Sequence, residues 1–239
     1  MLCLKAHSLD ILLPWKCASQ TVRTRLLPYA QEPYKQLFYF NPVLQKLRNQ
    51  HHTYADYLLL PQSKQGHQVA TFVRNPYDRV VSGFMQLCRD ATVIPQLPFE
   101  DPAMKFFVLD QVAQNTQDII RAGYNLNVWF LNLSPYKMLD TSSVTFLLQP
   151  AHAWTHVGDQ KIDFIGKVEN FEVDFEILKS RYGIGSTSLE SVNQSDLKAT
   201  AMSAAPYRYA KRLHSKTIAR INDIFSRDFE LFGYDKLTA

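Results

Sequence analysis

Two stretches of this chain gather side chains suited to holding anions. "LPWKCASQTVRTRL", residues 13–26, begins as an apolar strand and ends as a basic, amphipathic helix. Where the character changes sit Lys16, Cys17, Ala18, Ser19, Gln20 and Thr21, one cation followed by small or hydrogen-bonding side chains. A helix that starts there offers backbone N–H groups, the Ser19 and Thr21 hydroxyls and the Lys16 ammonium to a single anion. The spacing G-x-x-x-x-G-K-[ST] is absent, so this is not a Walker A loop. The second stretch is "TFVRNPYDRVVSGF", residues 71–84. Arg74 follows a strand, Pro76 opens a helix, and Ser82 lies about two turns into it at ~3.6 residues per turn. Arginine and serine so placed could grip a second phosphate. Taken singly, each stretch also has a plainer reading: a capped helix with a solvated lysine, and a surface ion pair at Arg74.

The elements that would position these residues alternate along the chain. "SLDILLPW" reads as a strand buried on both faces, and "VATFV" as a second. "DFIGKV" and "VTFLLQ" are further strand candidates. Helical patterns follow at Gln20 onward, in "PYDRVVSGFMQLCRD", across residues 100–133 and in "FEVDFEILKSRYG", which Gly183 stops. Within 100–133 the expected apolar face is Phe106, Phe107, Leu109, Val112 and Ala113. "NPVLQKLRNQ" is expected to be a short helix with Asn41 as N-cap and Pro42 at its first position. Lys216 to Phe232 is expected as one amphipathic helix. Strands separated by helices indicate an α/β fold, a central, mainly parallel sheet flanked by helices, in one domain over residues 1–239. In such sheets ligands sit beyond the carboxyl ends of strands, where both anion-holding stretches fall.

Composition narrows the class. Of 239 residues, 46% are apolar and 20% charged, which suits a globular protein and not a disordered one. A net charge of +4 is too mild to mark a nucleic-acid binder. Cys3, Cys17 and Cys88 are too few and too scattered for a disulfide framework or a zinc site, and read as reduced thiols. The apolar run Leu9–Trp15 is far shorter than the ~20 residues of a membrane span. It also lacks a basic leader and a cleavage site. A soluble, cytoplasmic protein is expected, or a lumenal Golgi domain if the chain is a truncation; oligomeric state is open.

Two anion grips in one fold suggest a nucleotide with phosphates at both ends. "LLPWKCASQT" resembles the 5′-phosphosulfate-binding loop of sulfotransferases, and "FVRNPYDRVVSGF" resembles their 3′-phosphate-binding strand and helix. "IDFIGKVENFEVDFEIL", the Asn193–Ser195 pair in "VNQSD" and the ending "INDIFSRDFELFGY" resemble the same family in the same order. The resemblance runs over roughly residues 8 to 235, to the sulfotransferases that include chondroitin- and heparan-type carbohydrate 2-O enzymes and microbial relatives. It implies a P-loop-like sulfotransferase fold and transfer of a sulfuryl group from 3′-phosphoadenosine 5′-phosphosulfate to a hydroxyl, on a carbohydrate or other small acceptor. It implies that Lys16, Cys17, Ala18, Ser19, Gln20 and Thr21 surround the 5′-phosphosulfate, and that Arg74 and Ser82 hold the 3′-phosphate. Gln20 stands where relatives often carry Thr or Ser, and its amide can still donate. Trp15 replaces the proline usual before the lysine. A sulfuryl group carries less charge than a phosphoryl group, so no metal is expected.

Lys16 would neutralise charge on the leaving oxygen, and His52 is the candidate base, since heparan-type relatives place a histidine in this region and imidazole titrates near neutral pH. The plainer reading of His51 and His52 is that they end a helix, where a cation suits the dipole. Glu32 is a weaker rival base. His152 and His156 have helical spacing but no third ligand for zinc, and with Trp154 they suit an acceptor-side loop or a core cover. Glu169 matches a family position, and Tyr207 and Arg208 are candidates to close over a nucleotide. A small-molecule kinase or a catalytically silent nucleotide-binding module are the competing readings. The missing Walker A glycines oppose the first and Lys16 the second.

Overall fold

The structure, a computed structural model, describes residues 1–36, 38–96, 102–134, 148–185 and 207–239. Its elements run β1 (Leu2–Leu4), β2 (Leu9–Ile11), α1 (Ser19–Leu26), β3 (Phe38–Asn41), β4 (Lys46–Asn49), α2 (Tyr54–Leu58), β5 (Gln68–Val73) and α3 (Pro76–Val93). They continue with α4 (Pro102–Arg121), α5 (Leu126–Asn132), α6 (His152–Thr155), β6 (His156–Val157), β7 (Gln160–Lys161), β8 (Phe164–Lys167), α7 (Phe171–Arg181), α8 (Ser215–Ile224) and α9 (Ser226–Phe232). Two compact units result, Met1–Arg74 with Ala151–Pro206, and Asn75–Pro150 with Tyr207–Ala239.

The first unit carries a four-stranded sheet in the order β1-β2-β5-β8. The pairs β2–β5 and β5–β8 are parallel, while β1 pairs antiparallel with β2. This is the mixed α/β architecture with a mostly parallel sheet that alternating strands and helices require. The strand period of two sorts the side chains into two cores. Leu9, Ile11, Ala70 and Phe72 face Val22 and Leu26 of α1 and Phe171, Phe175 and Leu178 of α7. Cys3, Leu12 and Val69 face the other way, among Tyr34, Tyr39, Tyr54 and Tyr57. Arg25 of α1 bonds Glu172 of α7 through both guanidinium nitrogens, at 2.7 and 2.8 Å, and lies over the Phe171 and Phe175 rings. α1 is thereby held on the sheet at the angle its preceding loop needs.

The second unit is helical in its described residues. Pro76 starts α3 and Asn75 caps it, its Oδ1 accepting the Tyr77 N–H at 3.0 Å. Tyr77 packs on Phe229 of α9 at 5.1 Å between centroids, and Phe84 on Trp129 of α5 at 5.3 Å.

Four expectations change. Residues 41–50 form a hairpin turn and its second strand instead of a helix. The Asn41 side chain accepts from Val43 and Leu44 N–H at 3.0 Å each, an Asx turn that an Asn-Pro start favours as readily as a helix cap. Gln45 is left-handed at φ 50°, and β3 pairs with β4 from Asn41↔Lys46 to Phe38↔Asn49. On α4 the buried positions are Val108, Val112, Asn115 and Ile119, a helical stripe displaced from the expected one, and Phe106 is 76% exposed. The C-terminal helix is interrupted at Phe225, which leaves helical ψ at 20° before α9 begins. Ser226 suits a helix start better than an interior, and Asp228 in that first turn complements the dipole. The antiparallel strand β1 was not expected at all. Of "VTFLLQ", residues 144–149, the first four lie outside the described residues.

Gly166 of β8 sits where a Cβ would stand 2.5 Å from Phe72 Cε1 and 3.2 Å from Asp174 Cβ. Phe72 is fully buried among Phe164, Phe171 and Phe175, so its ring has nowhere to retreat. Gly166→Ala is therefore expected to destabilise the protein by ~1–3 kcal/mol, the usual penalty of overpacking, read as a lowered urea midpoint with unchanged slope.

Candidate functional site: the loop between β2 and α1

β2 and β5 run parallel, so the chain leaves both strands at the same sheet end. Leu12 N–H donates to the Ala70 carbonyl at 2.9 Å, and the Thr71 hydroxyl donates to the Leu12 carbonyl at 2.8 Å. These buried bonds extend the pairing just past β2. Two residues beyond Leu12 the chain turns, with Cys17 N–H donating to the Pro14 carbonyl at 3.3 Å. Lys16 and Ala18 both take left-handed backbone, φ 64° and 58°, an uncommon choice for residues with a Cβ. Such alternation turns successive N–H groups toward one concavity, an arrangement that binds anions.

α1 follows with no side-chain cap, and its first internal bond is Val22 N–H to the Ala18 carbonyl at 2.9 Å. Its opening N–H groups thus have no acceptor within the helix, and the positive end of its dipole lies at Ser19–Thr21. Small residues permit this path. Cys17 is buried, its thiol 3.7 Å from the Trp15 carbonyl. Ser19 is buried, Thr21 half-buried and Gln20 exposed. The Lys16 ammonium lies 5.6 Å from the Trp15 ring centroid, a cation–π contact.

Arg74, the residue after β5, is 5% exposed and donates from Nη1 to the Lys16 carbonyl at 3.4 Å. The two expected anion-holding stretches therefore meet where the Arg74 side chain reaches the Lys16 backbone. Ser82 is half-buried on α3, in the second unit. Arg79 of that helix is buried and donates to the Gln149 carbonyl at 2.8 Å.

The histidines separate. His51 and His52 stand before a helix and not at the end of one, because Thr53 caps α2 with a capping box to Asp56. The dipole reading of the pair is thereby overturned. His51 is buried, its Nδ1 bonds the Leu13 carbonyl at the root of the loop, and its ring meets Trp154 edge-on. His52 is fully buried, stacked on Tyr39, with Nε2 2.8 Å from the Tyr39 hydroxyl. Tyr39 carried no sequence signal, since only the β3–β4 hairpin brings it to His52. Glu32 is exposed. His152 and His156 fall on different elements, α6 and β6, and Trp154 between them is fully buried core. Glu169 is half-buried in the turn after β8, and the Tyr207 hydroxyl donates to the Asp235 carbonyl at 2.9 Å. Asn193 and Ser195 lie outside the described residues.

A strand, a tight turn with two left-handed residues and an uncapped helix beside a strand-end arginine make a concavity of the kind that suits an anion. The family model of the sulfotransferases matches residues 15–235, and the chain belongs to that family. It is thus an enzyme of sulfuryl transfer, with an acceptor substrate to receive the group. Neither the comparison with curated proteins nor that with solved structures finds a match. No helix among the described residues is long and apolar enough to cross a membrane.

The left-handed Ala18 yields a stability prediction. A β-branched side chain is a pronounced outlier at φ 58°, so Ala18→Val should cost ~1–3 kcal/mol of stability and loosen the loop. Thermal unfolding checks this, and a variant as stable as the native chain would mean the loop does not need that backbone.

Proposed function

We propose that the protein transfers a sulfuryl group from 3′-phosphoadenosine 5′-phosphosulfate to a hydroxyl, with a carbohydrate as the acceptor class. The observation that carries this reading is the convergence of the Lys16 loop and Arg74 at neighbouring parallel strand ends. The 5′-phosphosulfate lies in the concavity of residues 16–21, against Lys16, the Ser19 and Thr21 hydroxyls, the Gln20 amide and the first N–H groups of α1. Small Cys17 and Ala18 let the backbone approach it closely. Arg74 takes the 3′-phosphate, a role that arginine suits through its planar pair of donors. Ser82 shares that phosphate on the strength of the motif it belongs to.

Transfer is an in-line displacement. The acceptor oxygen forms a bond to sulfur as the bond to the bridging phosphate oxygen breaks, and negative charge gathers on that oxygen. Lys16 and the preorganised N–H groups stabilise the charge, and no metal is called on. The acceptor proton passes to His52. Because His52 is fully buried against Tyr39, the tyrosine hydroxyl is its route to the acceptor.

The donor is tested by thermal unfolding with adenosine 3′,5′-bisphosphate against ADP and ATP. At a hundredfold excess over Kd a specific ligand stabilises by ~2.7 kcal/mol, several degrees for a chain of this size. A shift for the bisphosphate alone supports the two-phosphate site; equal shifts, or none, overturn it. With an accepted substrate, Lys16→Ala should lower kcat about 10²–10³-fold. His52→Gln and Tyr39→Phe should each lower it within about 10²–10⁴-fold, while His51→Gln, which loses the Leu13 anchor at the root of the loop, should mainly weaken donor binding. Full activity in His52→Gln would remove the base from this account.

A further inference from the structure

At the opposite end of the same strands three donors of different chemistry meet inside the first unit. Cys3 of β1 and Asp10 of β2 are direct cross-strand partners, so their side chains share a face of the sheet. His67 immediately precedes β5, which pairs with β2 in parallel from Leu9↔Gln68. One donor atom from each of Cys3, Asp10 and His67 lies within 4.8 Å of the others. The site is enclosed: Asp10 is wholly buried, Cys3 is 4% exposed and the His67 side chain 6%.

The Asp10 carboxylate shows what the cluster lacks. Its Oδ2 accepts from the Tyr57 hydroxyl and from His67 Nδ1, each at 3.1 Å. Its Oδ1 is buried with no hydrogen-bond partner. A buried carboxylate oxygen without a donor is costly, and it is satisfied by pairing or by a metal ion.

We propose that Cys3, Asp10 and His67 form a binding site for a borderline-soft divalent cation of the zinc class. A thiolate, a carboxylate and a neutral imidazole sum to two negative charges, so such a cation leaves a neutral site, the condition a buried cluster favours. Sulfur and nitrogen donors select zinc-like ions over magnesium and calcium. Tetrahedral bonds of about 2.0–2.3 Å need donor separations of about 3.3–3.7 Å, and the three donor atoms already lie within 4.8 Å of one another. Tyr57 stays on the carboxylate as its orienting partner. A solvent molecule completes the coordination from the His67 side, and binding sends the thiol proton to solvent. The site lies at the amino ends of β2 and β5, away from the Lys16 loop at their carboxyl ends, so it braces the sheet and takes no part in sulfuryl transfer. Cysteines scattered in the sequence conceal it, since its ligands come from three segments.

The test uses the metal-free full chain with Co²⁺ or Zn²⁺ alone. Co²⁺ should produce a thiolate-to-metal charge-transfer band that Zn²⁺ abolishes and Cys3→Ser lacks. Zn²⁺ at a hundredfold excess over Kd should raise Tm by about 5–10 °C. His67→Gln, at the edge of the site, should fold and lose most of that rise, so it decides the matter if Cys3→Ser does not fold. Absence of both band and shift in the native chain overturns the site. A Zn²⁺ shift undiminished in whichever variant folds overturns it as well, by placing the cation elsewhere.

Discussion

The parallel pairing of β2 with β5 is the constraint on which the candidate site depends. Parallel strands leave the sheet at one end, so whatever follows each of them is brought side by side. Leu12 and Thr71 extend that pairing beyond β2 with buried bonds, and the Arg74 guanidinium then reaches the Lys16 carbonyl. Residues 58 positions apart in sequence are thereby brought into direct contact. The same pairing sets the other end of the strands, where Asp10 and His67 meet.

Around this pairing the fold spends its apolar surface on holding the loop's exit. α1 is short, eight residues, and isolated helices of that length are not stable in water. It persists because Val22 and Leu26 pack into the core shared with α7, and because Arg25 binds Glu172 while covering two phenylalanine rings. The helix start can then remain uncapped. A side-chain cap at position 18 would have satisfied the first N–H groups of the helix; alanine in a left-handed conformation leaves them open. Local stability is surrendered at the loop and restored a turn and a half later.

The junctions that carry Lys16 and Arg74 were legible because they depend on local order along the sequence. Strand, small-residue turn and basic helix are contiguous in 13–26, and strand end, Asn-Pro cap and helix are contiguous in 71–84. Residue types at such junctions have few alternatives, since a cap or a prolyl first turn acts within three or four residues. Where two local solutions were near in energy, the reading failed. Asn41-Pro42 starts a turn as readily as a helix, and only the pairing of Phe38–Asn41 with Lys46–Asn49 decides between them. The α4 stripe was displaced for a related reason: apolar residues outnumber the positions its neighbours can cover, so Phe106 remains outside.

From the sequence alone came the α/β class, the strand ends that carry Lys16 and Arg74, and the family to which the chain belongs. The class and the strand ends rest on periodicity and on junctions, which act over a few residues and need no knowledge of what packs against them, and the family rests on the resemblance of whole motifs. The tertiary structure alone decided the partners. It turned His51 to the Leu13 carbonyl and His52 into the tyrosine core, although the two are adjacent in the chain. It also collected Cys3, Asp10 and His67 from three segments at one end of the sheet. Contacts of that kind depend on register and on which face each strand presents, and a shift of one residue would reverse every one of them.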